Sequence, residues 1–212
     1  MSLLRRHRPP YKLLSLLLQY PDEARLAARD AIGEAIDELP PSPERRAMRR
    51  FFGHLASESA VALQQEYVET FDLQRRCGLH LTFATEGDTR RRGMALLRLK
   101  RLYAAAGLPM LGGELPDYLP LMLEFAALAP PGHGRRLLSD HRTGLELLRM
   151  GLRERGSPYL DLVEVVCADL PGLGAAELER VRRLAVDGPP VEEVGLQPFA
   201  PPELMPSTEP RR

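Results

Sequence analysis

The chain has 212 residues, of which 44% are hydrophobic, enough to bury the core of one domain of ordinary to large size. Its 29 basic and 29 acidic residues cancel to a formal charge of zero, which argues against a nucleic-acid partner, because phosphate binding calls for a basic excess. Its two cysteines, Cys77 and Cys167, lie far apart and form no CxxC, so reduced thiols in a cytoplasmic protein are expected, with no disulfide framework and no zinc site. Leu, Ala, Arg and Glu dominate, and Ile32 and Ile36 are the only isoleucines. Such residues lose little rotamer freedom in a helix, so the expected class is all-α.

Arg5 and Arg6 precede an apolar run over residues 13–18, in outline like an export signal. Pro9 and Pro10 interrupt it, no small-residue cleavage site follows, and the run falls well short of the ~20 residues that span a bilayer. It reads as the first core helix, residues 11–20, ended by Pro21, and no insertion into a membrane is expected. Over residues 22–39 the steps between Ala24, Ala28, Ala31, Ala35 and Leu39, with Ile32 and Ile36 alongside, predict one helix with an apolar face. Ser42 caps the next helix, Pro43 suits its first position, and Met48, Phe51, Phe52 and Leu55 form its face. A fourth helix starts near Ser59 and buries Leu63, Tyr67 and Phe71. Residues 72–87 lack a period and read as a loop, with room for one helical turn.

Asp88 or Thr89 caps a fifth helix with Ala95, Leu99, Leu102 and Ala106 buried, widened by Leu96 and Tyr103, and Gly107 suits its left-handed end. Asp117 is the expected cap of the sixth, with Pro120 in the first turn and Leu121, Phe125 and Leu128 facing inward. After Pro130-Pro131-Gly132 a long helix carries Leu138, His141, Leu145, Leu148 and Leu152 to Gly156. Another starts at Ser157-Pro158 and buries Val163, Val166 and Leu170, and a last one runs near residues 175–186. The expected architecture is a single-domain helical bundle of eight or nine helices over residues 1–187. Residues 188–212 form a Pro-rich segment expected to be disordered, with Leu196 and Phe199 as the points that could tack it down.

Catalytic patterns are wanting. No HExxH, glycine-rich nucleotide fingerprint or phosphate loop occurs. Cys77 and His80 are three apart in an aperiodic stretch, and His54, His133 and His141 have no partner at ligand spacing, so neither a catalytic nor a metal site is assigned. The carboxylates are more suggestive. Glu66, Glu69 and Asp72 follow at three-residue steps, while Asp117 and Glu124 are seven apart, two turns on one helix face. If these helices pack together, the acids could rim a groove with an apolar floor, suited to a basic amphipathic helix. Against this stands the reading of ordinary solvated helix faces. Arg90, Arg91 and Arg92 follow Gly87-Asp88 at a helix start, where they could meet a phosphate or a partner, or simply pair with Glu86 and Asp88.

Three motifs carry a resemblance: EYVETFDL at residues 66–73, GDTRRRGMALL at residues 87–97 and ELPDYLPLMLEF at residues 114–125. Together they resemble the nitrate reductase assembly chaperones, the NarJ group of the TorD-like redox-enzyme maturation family. Weaker similarity extends over the N-terminal helices and to GLQPFAPP near the C-terminus. Glu86 departs from the pattern, since many relatives carry histidine there. The resemblance implies a TorD-like helical chaperone that is not an enzyme and has no cofactor of its own. It would bind the N-terminal region of the respiratory nitrate reductase catalytic (alpha) subunit and hold it in the cytoplasm for molybdenum cofactor insertion and complex assembly. Molybdenum cofactor delivery proteins would be further partners. Carried to matching positions, Tyr67, Asp72, Asp117, Tyr118 and Glu124 become the client-binding residues, with Glu66, Glu69 and Glu114 beside them, and Phe71 packs the helix instead. The alternative client is another molybdoenzyme, of the dimethyl-sulfoxide or trimethylamine-oxide reductase type.

Overall fold

The computed structural model describes residues 10–110 and 112–191. Every regular element among them is helical, and the two β-bridges are isolated. The described residues form twelve α-helices, where eight or nine were expected: α1 Tyr11–Leu17, α2 Glu23–Ala27, α3 Arg29–Asp37, α4 Pro43–Ser57, α5 Ala60–Tyr67, α6 Leu81–Glu86, α7 Arg90–Ala105, α8 Leu119–Leu128, α9 His133–Asp140, α10 Arg142–Arg155, α11 Leu160–Asp169 and α12 Ala175–Asp187.

Three departures account for the excess. The helix expected over residues 22–39 divides at Ala28 into α2 and α3. Its buried ridge is Ile32, Gly33 and Ile36, while Ala24, Ala28 and Ala31 face solvent. Two isoleucines bury far more apolar area than a row of methyl groups, so they decide which face turns inward. The helix expected after Gly132 divides at His141, whose ring Nδ1 lies 2.9 Å from the Leu137 carbonyl. Residues 72–87 are no loop: they contain a short 3-10 turn, Arg75–Cys77, and α6. The punctuation expected elsewhere is present. Ser42, Ser59 and Thr89 accept backbone N–H groups at the starts of α4, α5 and α7. Gly107 and Gly156 take positive φ at the ends of α7 and α10. The segment expected to be disordered lies outside the described residues from position 192 on, as do Arg5 and Arg6.

The centre of the core is α8, whose Leu119, Met122 and Leu123 are wholly buried. The first helix crosses it in antiparallel fashion. Lys12 pairs with Glu124 near one end, Ser15 Oγ donates to the Pro120 carbonyl at 2.7 Å in the middle, and Leu18 lies near the start of α8. Leu128, expected to face inward, is 60% exposed. On the far side, α10 presents Gly144 and Gly151, seven residues apart and so on one face. A β-carbon on Gly144 would lie 2.8 Å from the Leu81 carbonyl oxygen, and one on Gly151 would lie 2.9 Å from that of Arg76. Only hydrogen at these positions lets the chain over residues 75–86 lie flat on α10 and deliver His80 and Thr82 to the site.

Candidate functional site

The motifs at residues 66–73 and 114–125 meet through two tyrosines. The hydroxyl oxygens of Tyr67 and Tyr118 lie 3.0 Å apart, and Tyr67 also donates to the Leu18 carbonyl at 3.3 Å. Tyr67 is buried and sits among aromatic rings: Tyr20 at 5.4 Å, Phe71 at 4.7 Å and Tyr159 at 6.0 Å. Phe71 packs on Tyr67 and Tyr159, in keeping with its expected structural role. Tyr118 is half-buried, so part of its side chain is accessible to solvent. Burial pushes its hydroxyl pKa up; the hydrogen bond with Tyr67 and the charge of Arg25 oppose this, while Glu114 and Asp72 push it further up. Tyr118 is therefore where Tyr67, Asp72 and Glu114 converge electrostatically.

A wide turn over Val68–Asp72 shapes this corner. The Leu73 amide donates to the Val68 carbonyl, five residues back rather than four. Such single π turns insert one extra residue and often mark functional positions. Here Thr70 and Phe71 remain buried while Asp72 and Leu73 emerge into solvent, Leu73 at 68% exposure. Neither Glu69 nor Asp72 forms an ion pair among the described residues, and both are exposed. Glu66 is committed elsewhere: it meets His54 Nε2 at 2.6 Å, turned toward α4.

The expected pairing of Asp117 with Glu124 on one rim does not occur. Asp117 is not the helix cap, a position held by Tyr118, and it has no exposed surface. Its carboxylate accepts from the Thr82 amide at 3.2 Å, from the Thr82 hydroxyl at 2.5 Å and from His80 Nδ1 at 3.2 Å, and Arg92 stands 3.7 Å away. Burial alone would raise its pKa; the bonds from His80 and Thr82 and the charges of His80 and Arg92 outweigh that and hold it below the usual carboxylate range. The reason for this placement is a short antiparallel bridge, His80 to Tyr118, with the Leu81 amide on the Asp117 carbonyl and the Leu119 amide on the Leu79 carbonyl. Asp117 thus fixes the backbone from which Tyr118 projects. Glu124 lies at the other end of the α1–α8 contact with Lys12, beside an apolar pocket of about 330 Å³ lined by Leu108, Met110, Leu121 and Leu128.

The three arginines at the start of α7 also separate. Arg92 turns inward, its guanidinium 5.2 Å from the Phe83 ring centre and its Nε without a hydrogen-bond partner. Arg90 and Arg91 face solvent, and Glu86 pairs with Arg180 of α12 at 2.7 Å. His80, passed over in the sequence as a doubtful partner for Cys77, stacks 5.5 Å from Tyr118 and belongs to the site. Cys77 is buried in the opposite direction, its thiol pKa raised by burial. The signal that could have found His80 is the alternation of buried Cys77, Leu79 and Leu81, which marks extended backbone with His80 on the other side. Among the described residues no three His, Cys, Asp or Glu side chains converge to hold a metal ion. The site offers aromatic surface, a hydroxyl pair and nearby carboxylates, which suits holding a segment of another protein.

Residues 37–164 match the family model described as nitrate reductase delta subunit. A Bacillus subtilis protein named nitrate reductase molybdenum cofactor assembly chaperone NarJ is 36% identical over 79% of this chain and 91% of its own length. The protein of that name from Escherichia coli K12 is 33% identical over 73% of this chain, the match spanning 66% of the relative. A crystal structure of a redox enzyme maturation protein from Archaeoglobus fulgidus superposes with a TM-score of 0.58 at 25% identity, covering 80% of this chain and 96% of the other. The Bacillus and Escherichia relatives carry the names of assembly chaperones. With more than half of its length matched by the family model and most of it by a relative 36% identical, this chain belongs to the nitrate reductase delta subunit family.

Proposed function

We propose that this protein is a cytoplasmic maturation chaperone that binds the N-terminal region of the catalytic (alpha) subunit of a nitrate reductase and holds it for molybdenum cofactor insertion and complex assembly. The reading is supported by the names of the relatives. The observation that carries the site is Tyr118, half-buried, hydrogen-bonded to Tyr67 and packed beside His80, joining the motif that holds Glu114 to the one that holds Asp72. An aromatic anchor beside uncommitted acids fits a basic amphipathic helix, which would lay its apolar side on the ring and its cations toward Glu69, Asp72 and Glu114. Asp117, behind the surface, and His80, partly exposed beside Tyr118, act as positioning residues. Glu66 and Glu124, each already paired, contribute little to the grip.

Calorimetric titration with a peptide from the N-terminus of the nitrate reductase catalytic subunit tests this. Tyr118→Ala is expected to weaken binding by about 2 kcal/mol, the scale of an aromatic hot spot. Glu124→Lys should change affinity by less than about 0.5 kcal/mol. Equal affinity for wild type and Tyr118→Ala, with both proteins folded by thermal melting, would move the peptide site elsewhere. Tight binding of an N-terminal peptide from a dimethyl-sulfoxide-type reductase, and none of the nitrate reductase peptide, would reassign the client.

A further inference from the structure

Charge is unevenly spread over this neutral chain. Helix α7 carries six basic residues and no acidic one. Arg92 turns inward to Asp117, while Arg90, Arg91, Arg98, Lys100 and Arg101 are exposed. Arg91, Arg98, Lys100 and Arg101 form no ion pair among the described residues, whereas Arg45, Arg49, Arg50, Arg149, Arg153 and Arg180 each find a carboxylate. At 3.6 residues per turn, Arg90, Met94, Leu97 and Arg101 fall along one line down the middle of the exposed face. Arg91 and Arg98 flank that line on one side and Lys100 on the other. Met94 is 55% exposed and Leu97 40%, so two apolar side chains stand in water within a ring of cations.

The shape of this surface selects its partner. It is the outer side of a helix about 24 Å long, which packs chiefly against α6 on its inner side; at one edge Arg98 also borders a groove shared with Asp140 and Arg180, while Met94, Leu97, Lys100 and Arg101 lie outside that groove. A peptide needs a groove to meet cations on both flanks of a ridge, whereas a flat anionic sheet meets all of them at once. We propose that this face of α7 docks on an anionic phospholipid bilayer. Its guanidinium and ammonium groups would sit among the lipid phosphates, and Met94 and Leu97 would enter the boundary between headgroups and acyl chains. No described helix is long and apolar enough to cross a membrane, so the attachment is peripheral. The proposal is independent of the Tyr118 site and of the client.

The test is flotation of the full chain with vesicles. It should float with phosphatidylcholine vesicles containing about one quarter phosphatidylglycerol, not with pure phosphatidylcholine, and should be released at about 0.5 M salt. Each cation near such a surface strengthens partitioning about five-fold, so Lys100→Gln with Arg101→Gln should weaken it about 25-fold. Met94→Ser with Leu97→Ser should weaken it several-fold and leave the salt dependence in place. Arg182→Gln with Arg183→Gln, on the exposed side of α12, removes equal charge and should leave flotation unchanged. Absence of flotation, equal flotation with neutral vesicles, or equal loss in the α12 variant would each overturn the proposal. Binding of an acidic peptide but not of vesicles, abolished by Lys100→Gln with Arg101→Gln, would instead assign the face to a protein partner.

Discussion

Asp117 and Glu124 show how far a residue's role depends on its surroundings. Both are acids of one motif, yet Asp117 is a buried latch and Glu124 a half-exposed partner of Lys12. Replacing one oxygen of the buried, fully bonded Asp117 carboxylate by an NH2 group turns a donor against the donors of His80 or Thr82 and leaves Arg92 without its counter-charge. Asp117→Asn is therefore expected to destabilise the fold by about 3 kcal/mol at neutral pH, measured by urea unfolding. The sign of its pH dependence follows from the lowered pKa. The contribution of the carboxylate is present above the unfolded value near 3.8 and is lost as pH falls through the lower folded value. The gap between wild type and variant should thus be full at pH 6 to 7 and shrink below about pH 4. A gap that widened there would show that the carboxylate is not held ionised. None of this was legible in sequence spacing, since a seven-residue step is the same whether the first residue lies on the helix or two positions before it.

At the scale of elements, the short pieces carry the site and the long ones carry the core. Six-residue α6 could not be read from a period, and isolated helices of that length are marginal in water. It exists because α10 accepts it and the turn before it, through Gly144 against Leu81 and Gly151 against Arg76 and Cys77. Gly144→Ala and Gly151→Ala would each drive a methyl group against backbone that cannot yield cheaply. Each is expected to cost about 1 to 3 kcal/mol despite alanine's better helix propensity, measured by thermal or urea unfolding. Stabilisation by either substitution would mean that the segment over residues 75–86 is free to lift. By contrast the long, periodic elements α4, α5, α7 and α11 were legible, with the caps of the first three, because their apolar steps and capping residues agree with each other.

For the whole molecule, the charge balance of zero proved a poor guide to the surface. Cations gather on the outer face of α7, and Glu69 and Asp72, exposed and in no ion pair among the described residues, lie at the exit of α5. Domain extent is a separate matter. We propose that the folded unit is complete by α12 and the strap that follows it, where Val191 bridges to Asp88. Residues 192–212 carry five prolines and no apolar period. A chain cut after Val191 is expected to melt within about 3 °C of the full chain, the shift that less than about 1 kcal/mol produces at this size. A larger fall would make Leu196 and Phe199 part of the core.

The sequence by itself determined the helical class, the order of the long helices, most of their caps and the family, because these rest on local spacing and on motifs that survive without tertiary context. It also placed Tyr67 and Tyr118 among the residues to watch. Only the tertiary structure decided that these two share a hydrogen bond, that His80 stands beside them, and that Asp117 and Arg92 lie behind them rather than on the rim. Periodicity reports which side of an element is apolar. Which neighbour that side meets, and whether a carboxylate is left in water or desolvated among donors, depends on contacts between residues 25 or more positions apart.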